Sequence, residues 1–275
     1  MKGLSTINSP TINFYLVRAC AGACAAAYER ETVSSALAHC LWLPGSAGTQ
    51  GRDVLAFRGT ERLHDWITDL DLSWADTGLG MVHEGFWRAA QSIVETVWLH
   101  YPPPPPAGIP GPMILTGHSL GGALAVLVGW LLARKGYPVA AVVTFGQPRV
   151  GDAQWAGSYE GTRTSNIQLP TSNIEQPISN CQGGRLGAVT WRVVHEEDIV
   201  ARMPSWCCGW RHVGQEVYLP SVGRPMANPG AWRKVWPDLV GLVRQWRAGP
   251  AELVRDHPIA RYVEHLADVD VKRET

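Results

Sequence analysis

The chain is predicted to be an α/β protein with a mostly parallel central sheet flanked by helices, and three observations carry that prediction. Short apolar, β-branched runs at 113–116, 139–145 and 189–194 are interleaved with segments whose apolar residues recur at helical spacing. The runs are near-continuously apolar instead of alternating, as strands covered on both faces are. At 45% hydrophobic and 17% charged, 275 residues can bury one sizeable core, so a single domain over 1–275 is expected.

In chain order, Phe14, Leu16, Val17, Cys20 and Cys24 recur at near-helical spacing within 11–30 and read as an opening helix. Residues 53–57 read as a strand. The 101–112 stretch holds five consecutive prolines, too stiff and donor-poor for a helix or central strand, and reads as an exposed connector. After the 113–116 strand, Leu120, Ala123, Leu124, Leu127, Val128 and Leu131 mark a buried helix. The polar 156–187 stretch reads as an insertion loop. A further strand is expected at 216–219, with helices around Trp232, Val235, Trp236, Leu239 and Leu242 and around Ile259, Tyr262, Val263 and Leu266.

Lys plus Arg and Asp plus Glu both number 24, so no basic excess exists to hold a nucleic acid or an anionic membrane. The longest apolar run, 122–133, is short of the roughly 20 residues that cross a bilayer, and no transmembrane span is expected. Residues 5–13 are polar and proline-broken where a leader needs an apolar run. A soluble, cytoplasmic protein is therefore expected, with leaderless secretion or a leader within the apolar 16–27 stretch as the alternatives. The six cysteines form no C-x-x-C pair, and Cys207, Cys208 and His212 lack a fourth ligand, so no metal is expected.

Gly117-His118-Ser119-Leu120-Gly121 fits the G-x-S-x-G nucleophile elbow and lies between an apolar strand and a buried helix, as that turn requires. Ser119 is the candidate nucleophile, and the N-terminus of the helix behind it favours a developing oxyanion. In this arrangement acid and histidine follow the nucleophile in the chain. Asp198, with Glu196 and Glu197 as rivals, lies just past an apolar strand, and His212, His257 and His265 follow it. Pro258 suits the first position of a helix, which places His257 on a loop. His118, beside the nucleophile, is expected to pack and hydrogen-bond under the elbow.

Several segments together resemble the class 3 (fungal-type) lipases, which have the α/β-hydrolase fold. They are Phe57-Arg58-Gly59-Thr60, Asp65-Trp66-Ile67-Thr68-Asp69-Leu70, Val82-His83-Glu84-Gly85-Phe86, the block from Thr116 to Ala125, the block from Thr144 to Asp152, Val193-Val194-His195-Glu196-Glu197-Asp198-Ile199-Val200, and the block from Arg255 to Tyr262 that holds His257. The polyproline run and the 156–187 stretch depart from the pattern. The resemblance implies a serine carboxylic-ester hydrolase, a triacylglycerol lipase first, with no cofactor. Its catalytic residues would be Ser119, Asp198 and His257, and the oxyanion hole would be the Leu120 N–H with Thr60.

Leu63, Trp66, Ile67 and Leu70 fall at i, i+3, i+4 and i+7, an amphipathic pattern directly after the oxyanion residue. The resemblance makes residues 60–76 a lid, and its apolar face implies transient contact with a lipid interface and an acylglycerol or other ester as substrate. Phospholipase A1, feruloyl esterase, thioesterase and other carboxylesterase activities are alternatives within the class. An acyltransferase, or a lipid-binding pseudoenzyme without turnover, is the alternative outside it.

Overall fold

A computed structural model describes residues 13–29, 40–59, 72–100, 112–162, 185–195, 198–220, 224–229 and 257–268. Its main sheet has seven strands: β1 (Cys40–Leu43), β2 (Val54–Phe57), β5 (Met113–His118), β6 (Val139–Phe145), β7 (Thr190–His195), β8 (Gln215–Leu219) and β9 (Met226–Ala227), in that spatial order. The five central strands run parallel, and β1 and β9 are antiparallel edges. A separate hairpin pairs β3 (Trp74–Asp76) with β4 (Met81–His83). This is the α/β-hydrolase architecture.

Every residue of β2, β5, β6 and β7 is buried, which explains the unbroken apolar runs. The two faces are covered by α1 (Phe14–Glu29) and α3 (Leu120–Arg134). On β5, Thr116 Oγ1 meets Cys24 Sγ of α1 at 3.3 Å, while the neighbouring Leu115 faces Gly129 of α3. A side chain at 129 would press to 3.2 Å from Val142 of β6, so the glycine lets α3 lie close on the sheet. Nearly all of α3 is buried because α2 (Glu84–His100) covers its outer side.

The register aligns the carboxyl ends of the central strands. Phe57 pairs with Gly117, His118 with Phe145, Phe145 with Val193, and His195 with Leu219. In parallel α/β sheets the crevice beyond these ends is where ligands bind, and the segments that leave Phe57, His118, Phe145 and His195 converge there.

Some boundaries differ from the sequence reading. The 113–116 strand continues to His118, and the 189–194 strand begins one residue later, after a 3₁₀ turn at Leu186–Val189 closed by the Thr190 hydroxyl donating to Leu186 O at 2.8 Å. The first residues of the expected 156–187 loop belong to α4 (Ala153–Gly161), which Asp152 caps by accepting from Trp155 N–H at 2.7 Å. With Trp155, Ala156 and Tyr159 buried, three packed residues outweigh the polar composition around them. Residues 163–184, the polyproline run 101–111 and the expected 232–242 helix lie outside the described residues. The last described helix, α5 (Ile259–Asp268), packs against α1, where Arg18 Nε donates to Leu266 O at 2.7 Å.

Candidate active site

The turn from β5 into α3 is too tight for side chains on either flank of Ser119. A Cβ on Gly117 would lie 2.1 Å from the Gly121 carbonyl oxygen, and one on Gly121 2.1 Å from the Phe57 oxygen. Ser119 itself is held at φ 58°, ψ −127°, a region that L-residues avoid. It is fixed there by Ser119 N donating to Phe145 O and by Gly122 N donating to Ser119 O, both at 2.9 Å. From the end of β2, Gly59 comes so close that a Cβ there would sit 3.3 Å from Ser119 Cβ and 2.6 Å from His118 O.

Beyond β7, the chain turns with Asp198 N bonded to His195 O, and Val200 N donates to Asp198 Oδ1. Asp198 and His257 are 1% and 2% exposed, and His257 Nδ1 lies 2.9 and 2.8 Å from Oδ1 and Oδ2 of Asp198. An ionised carboxylate only accepts, so Nδ1 carries the proton and Nε2 of the neutral ring is left with its lone pair. Tyr262 of α5 donates to Asp198 Oδ2 at 2.5 Å and accepts from His195 N–H at 3.2 Å. Burial pushes the Asp198 carboxyl up, but the charge and hydrogen bond of His257, joined by the Tyr262 bond, outweigh it and hold the group below the usual carboxylate range. Gly146, at φ +55°, forms the wall behind the pair: a Cβ would meet Asp198 Oδ2 at 2.5 Å and His257 Nδ1 at 2.9 Å.

His118 props the histidine loop from below. Its Nε2 is 2.7 Å from the His257 carbonyl oxygen, which can only accept, so Nε2 holds the hydrogen and Nδ1 accepts from the Tyr28 hydroxyl at 2.9 Å. Burial first, then the nearby His257, lower the His118 imidazole to about 3, outweighing its bond to the His257 carbonyl and the attraction of Asp198. It is a neutral strut on α1 at one end and on the histidine loop at the other.

The structure thus brings Asp198 and His257 into contact, and His118, next in the chain to the buried Ser119, touches His257. Ser119 Oγ and His257 Nε2 are themselves buried without a hydrogen-bond partner among the described residues. Hydrogen bonds between such groups are commonly long in an empty site and tighten around a ligand. Leu120 opens α3, with its side chain partly buried against the core. His212 instead gives its Nε2 proton to Ala201 O at 2.7 Å, and the His265 ring faces that of His195. Thr60, Leu63, Trp66, Ile67 and Leu70, with Glu196 and Glu197, lie outside the described residues. Among the described residues, no three His, Cys, Asp or Glu side chains cluster as a metal site, and no helix is long and apolar enough to cross a membrane. Sequence reasoning missed Tyr28, Gly146 and Tyr262. Gly146 alone carried a signal, as a glycine directly after a buried strand.

A sequence model described as "Lipase (class 3)" matches residues 54–207, more than half of the chain. The chain belongs to the class 3 lipase family. Among its relatives, the secreted mono- and diacylglycerol lipase A of Penicillium cyclopium is 27% identical over 176 residues, 63% of this chain and 50% of that protein. The secreted mono- and diacylglycerol lipase 1 of Fusarium solani is 28% identical over 60% of this chain and 43% of its own length. This class 3 lipase chain therefore spans about half the length of the relatives it matches. Among solved structures, the refined triacylglyceride lipase of Rhizomucor miehei superposes with a TM-score of 0.52 at 21% identity, covering 75% of this chain and 78% of that one. That likeness concerns the fold.

The relatives also correct the sequence reading of compartment. The cytoplasmic expectation rested on a missing apolar run near the first residues, yet the family members from Penicillium and Fusarium are secreted lipases. The first residues are a weak guide because a compartment signal leaves no mark on the packed domain.

Proposed function

We propose that this class 3 lipase hydrolyses acylglycerol esters through a covalent acyl-enzyme on Ser119. His257 takes the Ser119 proton through Nε2, Ser119 Oγ attacks the ester carbonyl, and Asp198 keeps Nδ1 protonated and stabilises the imidazolium that forms. The imidazolium then protonates the leaving glycerol oxygen. Water, deprotonated by the same Nε2, attacks the acyl carbonyl and releases the fatty acid. The observation that carries this reading is the Asp198–His257 pair, buried and fixed in the tautomer that leaves Nε2 as a base, in a chain that also holds a serine on a strained elbow.

The oxyanion is assigned to the Leu120 N–H at the start of α3 and to Thr60. The close approach of Gly59 to Ser119 supports the second assignment, since Thr60 is the next residue. Of the 60–76 stretch, the part before β3 begins at Trp74 is assigned as the lid on the amphipathic spacing of 63–70, and a transient contact with the lipid surface goes with it. The names of relatives, mono- and diacylglycerol lipases from Penicillium and Fusarium and a triacylglycerol lipase from Arabidopsis thaliana, support acylglycerols as the substrate class.

The test is hydrolysis of monoolein, diolein and triolein emulsions and of a p-nitrophenyl ester chain-length series, by the parent beside Ser119→Ala, His257→Ala and His212→Ala. Loss of about 10⁴-fold or more in the first two variants, with His212→Ala active, is the expected result. Activity surviving in Ser119→Ala would sink the assignment. A hydrolysis rate that fails to jump when substrate passes its solubility limit would sink the lid.

A further inference from the structure

The described cysteines divide into two groups. Cys20, Cys24 and Cys40 are buried, and burial pushes their thiols up, that of Cys24 to about 12 and that of Cys40 to about 11. Cys207 and Cys208 are exposed, adjacent in sequence, and carried on a 3₁₀ turn, Trp206–Cys208, that projects from the segment following Asp198.

That turn is firmly framed. Cys208 N donates to Ser205 O and Gly209 N to Trp206 O, each at 3.1 Å, and Gly209 closes it at φ 93°. The Arg211 guanidinium donates to the carbonyls of Trp206 and Trp210, both at 2.9 Å, and Arg149 donates to Pro204 O at 2.7 Å. Cys207 Sγ lies 2.8 Å from the Ser205 hydroxyl, which becomes its donor once the thiol ionises. That hydroxyl, helped by the Cys208 thiol, lowers the Cys207 thiol below its ordinary value. An exposed sulfur with a donor at hand and a guanidinium on the preceding carbonyl is the setting in which cysteines are nucleophilic.

We propose that Cys207 and Cys208 form a thiol–disulfide exchange site for small external disulfides, with Cys207 as the attacking and Cys208 as the resolving thiol. The Cys207 thiolate attacks one sulfur of a disulfide RS–SR, the reagent's S–S bond breaks, and RS⁻ leaves. Cys208, losing its proton, then attacks the Cys207 sulfur and expels the second RS⁻. The pair gives up two electrons and two protons, and RS–SR becomes two RSH. Adjacent Cα atoms stand only about 3.8 Å apart across a trans peptide, short of the roughly 4.4–6.8 Å that a disulfide usually spans. The ring is therefore strained and opens again readily under an added dithiol.

The experiment uses the full chain carrying Cys181→Ser, since Cys181 lies outside the described residues, and 5,5′-dithiobis(2-nitrobenzoate) as the disulfide, with released thionitrobenzoate and intact mass as readouts. The parent is expected to release two thionitrobenzoates in a fast phase and to end two hydrogens lighter with no adduct, a change reversed by dithiothreitol. Cys208→Ser should release one and retain one as an adduct, and Cys207→Ser should lose the fast phase by about tenfold or more. A parent that retains two adducts has two independent surface thiols, and that result overturns the proposal. So does a Cys207→Ser variant that reacts as fast as the parent.

Discussion

The hydroxyl of Tyr262 donates to Oδ2 of Asp198 at 2.5 Å from the helix that immediately follows His257. The helix that follows His257 therefore also holds Asp198, and one element bears on the separation of the two groups. Tyr262 is fully buried, so its phenol has no competing water.

Replacing Tyr262 with Phe removes that donor, and with it the acceptor of the His195 N–H, while keeping the ring. The expected result is a kcat lower by about tenfold with KM little changed, because a charge-assisted hydrogen bond is worth about 1.5–3 kcal/mol and part of it is recovered by relaxation. Asp198 sits below the usual carboxylate range, so its share of stability is present above an unfolded value near 3.9 and fades as pH falls through the folded value. The stability lost in Tyr262→Phe, read from urea unfolding, should accordingly be full at neutral pH and shrink below about pH 4.

Gly146→Ala would put a methyl group 2.5 Å from Asp198 Oδ2 and 2.9 Å from His257 Nδ1, at a backbone φ of +55°. Activity should fall by at least about 100-fold, since a misplacement near 1 Å costs that much. Gly136→Ala is the control, strained at φ +86° but opening onto empty space. It should cost about 1 kcal/mol in stability and leave ester hydrolysis intact. Equal activity losses at the two positions would refute the wall assigned to Gly146.

Ser119→Gly should abolish hydrolysis yet stabilise the fold by roughly 1 kcal/mol, because glycine adopts φ 58°, ψ −127° without the strain that serine carries. Chemical denaturation of the two proteins measures it. A destabilised glycine variant would mean that the elbow imposes no strain.

His118 titrates near 3 in the folded protein and near 6.5 when unfolded. Between those values the unfolded chain holds the extra proton, so stability is full above about pH 6.5 and is lost as pH falls toward 3, by up to about 1.4 kcal/mol per pH unit. His118→Asn should flatten that part of the stability-against-pH curve by one proton. An unchanged slope would show that the imidazole is not the group responsible.

What could be read from the sequence was local in the chain. The 139–145 strand, the elbow glycines and the helix behind Ser119 each declare themselves within a dozen residues, through hydropathy or through the backbone freedom a turn needs. The partnerships around the candidate site are not local. Tyr28 meets His118 across 90 positions and Tyr262 meets Asp198 across 64, and an isolated tyrosine in an amphipathic helix looks like ordinary core filling. The start of α4 was hidden for the opposite reason, since its polar neighbours drown three buried residues in any windowed reading.

The Arg18 bond to Leu266 joins residues 248 positions apart, clasping α1 to the helix that steers the base. A ribosome makes such a chain from one end, so Ser119 and Asp198 emerge long before His257 and its supporting helix are available to dock on α1. The buried contact of Asp198 with His257 can therefore form only after the later helix has been made and has docked on α1. A chain cut short before residue 257 would lack both the partner of Asp198 and the clasp on α1, although the turn at Ser119 would already be made.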